Sequence, residues 1–150
     1  MERIVECVPN FSEGRDREVV DRIIVQIERV EGVKLLDVDC GRDTNRTVVT
    51  FAGEPEVVLE AAFQAIRCAS ELIDMRRHAG AHPRMGATDV CPLVPVAGVT
   101  MAECVELARR LGKRVAEELA IPVYLYEEAS TAPERRSLAC LNFGVGRSML

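Results

Sequence analysis

What most constrains the fold of this chain is a regular change in the period of its apolar residues. Ile4-Val5-Glu6-Cys7-Val8-Pro9 is a short β-rich run ended by proline. From Asp16 the apolar positions Val19, Val20, Ile23, Ile24 and Ile27 recur at three and four, the helix period. Val33–Val38 and Arg46–Ala52 are strand-like runs separated by the polar turn Gly41–Asn45. Helical spacing returns at Val58, Leu59, Ala62, Ile66 and Ala69, ending near Ile73, and a further strand is predicted over Asp89–Val94. A third helix runs from Thr100 to Leu119, and Val123–Tyr126 is a last strand. The punctuation agrees. Asp16 is a predicted N-cap, Gly32 a stop, Pro55 a first-turn proline, and Thr100 with Glu103 a capping box.

The order β-α-β-β-α-β, followed by α-β, is the split layout of ferredoxin-like α+β folds. It predicts one mixed sheet with helices on one face and an open opposite face. With four Phe, two Tyr and no Trp among 150 residues, the core must be built from Val, Leu, Ile and Ala. That length suits one domain. Residues 1–138 read as one unit, and residues 139–150 form an apolar, glycine-containing tail that the local pattern assigns to no element.

A net charge of −5 argues against a nucleic-acid-binding face. No apolar run approaches the length of a membrane span. Cys7, Cys40, Cys68, Cys91, Cys104 and Cys140 include no C-x-x-C pair. Met1-Glu2-Arg3 leads straight into the first strand with no secretory leader. The expectation is a reduced, cytoplasmic protein whose thiols act as small hydrophobes.

Both histidines fall in one glycine- and proline-punctuated stretch, His78-Ala79-Gly80-Ala81-His82-Pro83-Arg84-Met85-Gly86-Ala87. An i,i+4 histidine pair on a helix can hold a metal, but Gly80 and Pro83 interrupt the helix and only Asp89 offers a third ligand nearby. No metal is expected. Imidazoles bonded to backbone, or an imidazole that moves a proton near neutral pH, both fit the residue type. Asp37 and Asp39 alternate at a strand end and are expected on opposite faces, one of them on the open side. Asn10, Glu13 and Arg46 stand near loop or strand ends, Arg46 with the planar fork that binds carboxylates.

Together, Glu6-Cys7-Val8-Pro9-Asn10-Phe11-Ser12-Glu13-Gly14, Leu36-Asp37-Val38-Asp39, Asn45-Arg46-Thr47-Val48, His78-x-Gly80-x-His82-Pro83-Arg84-Met85-Gly86-Ala87 and Val123-Tyr124-Leu125-Tyr126 resemble the N-terminal subdomain of glutamate formiminotransferase. The resemblance runs from about residue 3 to Leu138. It implies transfer of the formimino group of N-formimino-L-glutamate to N5 of tetrahydrofolate, the co-substrate, in histidine breakdown. It makes His82, which directly precedes Pro-Arg-Met-Gly, the catalytic acid–base. Asp39 becomes its orienting partner, and Asn10, Arg46, Arg84 and Gly86 become substrate-binding positions. The family continues with a second α/β subdomain, and its folate lies between the two. Residues 139–150 depart from that pattern.

Two other readings stay open. The chain is a non-catalytic half-domain that binds or assembles through its open sheet face, for which self-association into a homo-oligomer is expected. Or it acts on a different formimino donor, such as formiminoglycine.

Overall fold

A computed structural model describes residues 2–75, 86–127 and 139–143. The elements are β1 (Ile4–Cys7), β2 (Asn10–Phe11), α1 (Arg17–Glu28), β3 (Lys34–Gly41), β4 (Arg46–Gly53), α2 (Pro55–Leu72), β5 (Thr88–Ala97), α3 (Met101–Leu119), β6 (Val123–Glu127) and β7 (Ala139–Phe143). The caps read from the sequence form. Asp16 accepts bonds from the amides of Glu18 and Val19, Pro55 opens α2, and Thr100 accepts the amide of Glu103 at 3.1 Å. Gly32 carries a φ of +94°, which L side chains rarely adopt, and turns the chain from α1 into β3.

β1 and β2 are one line of chain interrupted at Val8-Pro9. Proline has no amide to give, yet the line holds, because Val8 N donates to Pro92 O and Val49 N donates to Pro9 O, each at 3.1 Å. This line lies between β4 and β5, and β3 pairs with the far side of β4. The order β5-β1-β4-β3 is the ferredoxin-like arrangement predicted from the element order.

The sheet then extends in a way the local pattern does not indicate. Ala139–Phe143, given no element above, is a strand seated between β5 and β6. β5 and β6 run in the same direction, so direct pairing would have made the sheet mixed. With β7 between them, every described pairing is antiparallel.

The three helices form one layer, α2 packing against both α1 and α3. From the sheet, Val5, Cys7, Phe11, Val49, Phe51, Cys91 and Leu93 point into it, all at most 1% exposed. Ala61, Ala62, Ala65 and Ala69 let α2 sit close to its neighbours while Phe11, Phe51 and Phe63 fill the space around it. Among the described residues, no helix is long and apolar enough to cross a membrane.

Candidate functional site

Among the described residues, no helix covers the opposite face of the sheet. Along β4, Thr47, Val49, Phe51 and Gly53 are buried while Arg46, Val48, Thr50 and Ala52 are half-buried, so the latter set lies on the open side. Strand register carries this assignment across the molecule. Asp39 stands opposite Val48, Val48 opposite Asn10, and Asn10 opposite Val90.

Asp37 and Asp39 both lie on this open face, not on opposite faces as expected. A strand's side chains repeat every second residue, so residues two apart share a face. Which face they share is set by a bulge: Leu35 pairs with Phe51 and Asp37 with Thr50, leaving Leu36 as the extra residue. In unbroken register both aspartates would have pointed at the helices. Leu36 is 48% exposed, and the partly buried Leu35 and Val38 pack against the core instead.

Arg46 sits diagonal to Asp39, opposite Gly41, at the same end of the open face. Among the described residues it forms no ion pair. The amide of Asn10 donates to Val8 O at 3.1 Å, and its Oδ1 has no partner among the described residues. Asp39, Asn10 and Arg46 therefore share one corner of the open face, within two strand spacings, about 10 Å. His78, His82 and Arg84 lie outside the described residues. Gly86, where the description resumes, is buried beside this corner.

The corner is held by hydrogen bonds made to and from the loop Ser12-Glu13-Gly14. Ser12 N donates to Ala87 O at 2.8 Å, and Ser12 Oγ to Gly86 O at 2.6 Å. Thr47 Oγ1 donates to Glu13 O at 2.5 Å, and Gly14 N to Asn45 Oδ1 at 2.8 Å. Gly14 is required there, since a Cβ would run into Gly41 O and lie 2.6 Å from Arg46 N. The Glu13 carboxylate caps the turn into α1 by accepting the amides of Arg15 and Asp16, each at 3.0 Å, a structural task. Ser12, Thr47 and Asn45 stand in the sequence only as members of the quoted motifs; the bracing task of each depends on a partner more than thirty residues away.

Asp89 is buried, 9% exposed, at the irregularity between the Asn10 and Phe11 pairings. Next to it the hydroxyl of Thr88 is buried with no hydrogen-bond partner among the described residues. Those residues also contain no group of three or more His, Cys, Asp or Glu placed to hold a metal. The thiols of Cys7, Cys68, Cys91 and Cys104 are buried; Cys40 is half-buried, with Arg17 Nη1 donating to its sulfur at 3.1 Å. Burial pushes the Cys104 thiol up to about 11, leaving it protonated and unreactive near neutral pH.

Residues 4–144 match the family described as formiminotransferase domain, N-terminal subdomain. The chain belongs to that family. The match extends past residue 138 and takes in β7. This subdomain is 58% identical over 144 residues to a formimidoyltransferase-cyclodeaminase of Rattus norvegicus, covering 96% of the chain and 27% of that protein. It is 48% identical over 144 residues to a glutamate formimidoyltransferase of Streptococcus pyogenes serotype M1, covering 96% of the chain and 48% of that protein. To the glutamate formimidoyltransferase of Thermoplasma acidophilum it is 54% identical over 138 residues, 92% of the chain and 46% of that protein. The subdomain thus spans from about a quarter to about half the length of these relatives.

Proposed function

We propose that the subdomain carries the proton-transfer machinery of a glutamate formimidoyltransferase, moving the formimino group of N-formimino-L-glutamate to N5 of tetrahydrofolate in histidine breakdown. The observation that carries this reading is family membership along residues 4–144. The gathering of Asp39, Asn10 and Arg46 on one corner of the open face, next to where the histidine-bearing segment joins β5, supports it.

The chemistry defines what the residues must do. N5 of the folate attacks the amidine carbon, forming a C–N bond and a tetrahedral centre, and its proton goes to the neutral imidazole of His82. The imidazolium returns that proton to the glutamate nitrogen as the original C–N bond breaks, leaving glutamate and 5-formiminotetrahydrofolate. A single positioned base serves both steps. Asp39 orients the imidazole and stabilises its charged form. Both substrates are anionic in an acidic protein, so Arg46 and Arg84 bind their carboxylates, with Asn10 and the backbone of Gly86 completing the site. The reaction asks for no metal. Buried thiols and the lack of C-x-x-C pairs fit a reducing cytoplasm. The half-buried apolar residues Val48, Ala52, Val90 and Val94 on the open face fit a homo-oligomer, which sedimentation at several concentrations tests.

The decisive experiment is transfer from formiminoglutamate, paired with calorimetric titration by tetrahydrofolate, for the unaltered chain and for His82→Ala. The expected result is folate binding in both and turnover reduced about 10²–10⁴-fold in the variant. Failure of the unaltered chain to bind folate at millimolar concentration overturns the reading in favour of a non-catalytic binding or assembly domain.

A further inference from the structure

We propose that Ser12 is a positioning residue that fixes where the histidine-bearing segment joins the sheet. The kinetic part of this inference rests on the function proposed above; the geometric part does not.

Ser12 reaches across 74 positions of sequence to grip two consecutive peptide units. Its side chain donates to Gly86 O at 2.6 Å and its amide to Ala87 O at 2.8 Å. It is 1% exposed, so neither bond competes with water. Gly86 and Ala87 are the last two residues before β5, and His82 precedes Gly86 by four positions. The same loop is tied on its other side to β4, by Thr47 Oγ1 to Glu13 O at 2.5 Å and by Gly14 N to Asn45 Oδ1 at 2.8 Å. Residues 12–14 therefore brace the start of β4, with Arg46, against the start of β5. Neighbouring strands alone do not supply this brace. The pairing of β2 with β5 is irregular at this point, Asn10 facing Val90 and Phe11 facing Thr88, so Asp89 is skipped. A ladder interrupted by a bulge leaves the chain before it free to pivot. The two Ser12 bonds remove that freedom just beyond the interruption.

Losing the side-chain bond leaves the Gly86 carbonyl buried without its partner while the amide bond to Ala87 O remains. The expected effect is a loosened junction in a folded protein. Small displacements of a catalytic group lower turnover steeply, of order 10²-fold per ångström, and affect binding less.

The test uses Ser12→Ala, Ser12→Thr, which keeps the hydroxyl, and Thr100→Ala, which weakens the distant cap of α3 as a control for lost stability. The amide at position 12 donates to Ala87 O and is kept in every variant, so its hydrogen exchange reads the junction. In Ser12→Ala this exchange is expected to rise about tenfold or more relative to the unaltered protein. Thr100→Ala should leave it unchanged, and Ser12→Thr should restore it. Where the unaltered chain is active, kcat of Ser12→Ala falls about tenfold or more with KM changed less than about twofold. Unchanged exchange in Ser12→Ala, or an equal rise in Thr100→Ala, overturns the proposal. Inactivity of the unaltered chain bears on the proposed function alone, because the exchange of this amide reads the junction bond itself.

Discussion

Asn45 holds a left-handed backbone, φ 51°, and accepts the Gly14 amide on its Oδ1, so one residue serves the turn and the brace at once. Asparagine tolerates that conformation better than other residues with a Cβ. Asn45→Ala should lose both contributions, about 2 kcal/mol by chemical denaturation, through a strained turn and a buried amide without its acceptor. Asn45→Gly should recover the backbone part only. Equal losses in the two would show that the side-chain acceptor is the whole effect. Thr88 gives the opposite expectation. Its buried hydroxyl has no partner among the described residues, so Thr88→Val removes a desolvated polar group at nearly constant shape. A gain of about 1 kcal/mol in unfolding free energy is expected, and a loss would mean that the hydroxyl has a partner in the folded molecule.

Between elements, α2 and α3 run side by side in the same direction and are clamped at four-residue spacing. Arg110 holds the Glu56 carboxylate by two bonds of 2.7 and 2.8 Å, and Arg114 donates to Glu60 at 2.6 Å. The Arg114 guanidinium also covers the Phe63 ring, 3.6 Å from its centroid. Hydrogen bonds from these arginines lower the pKa of both glutamates from their ordinary 4.5, Gln64 adding to the effect at Glu60. The folded state therefore binds fewer protons at these carboxylates than the unfolded chain. Their stabilising contribution is complete above the ordinary value and is lost as pH falls through the lowered one. Replacing both by glutamine should flatten the fall of the melting temperature with pH below about 4.5. The difference should shrink at high salt, because the Glu56 pair is exposed and the Glu60 pair only half-buried. An unchanged acid slope would assign the effect to other carboxylates. The helices themselves were legible in the sequence, since caps and apolar spacing are local signals. The clamp was not. Arg109-Arg110 and Lys113-Arg114 are, by local spacing alone, a basic helical stretch interleaved with glutamate, and only tertiary packing brings Glu56 and Glu60 against it.

At the scale of the whole molecule, the element order sufficed for the first four strands, because helix-linked neighbours have few ways to pack. It did not suffice for the bulge at Leu36, which decides that the aspartates face the open side, nor for the last strand. Ala139-Cys140-Leu141-Asn142-Phe143 carries no caps, no turn chemistry and no clean alternation, and its partners are far away in sequence. Yet it forms four registered pairs with β5 and five with β6. Deleting residues 139–150 therefore does more than trim an end. β6 loses its only described strand neighbour, and β5 loses the neighbour on its outer edge. Pro92 and Pro95 reduce what that edge can donate to a replacement. The truncated chain is expected to lose about 3 kcal/mol or more of stability. Hydrogen exchange should find the amides of Val123–Glu127 unprotected while those of β3 and β4 stay protected. The competing outcome is specific. If β6 slides against β5, the two must pair in parallel, giving the mixed sheet that the element order alone predicts. Retained protection of the β6 amides with a melting temperature near that of the full chain would establish that arrangement and show the final strand to be dispensable.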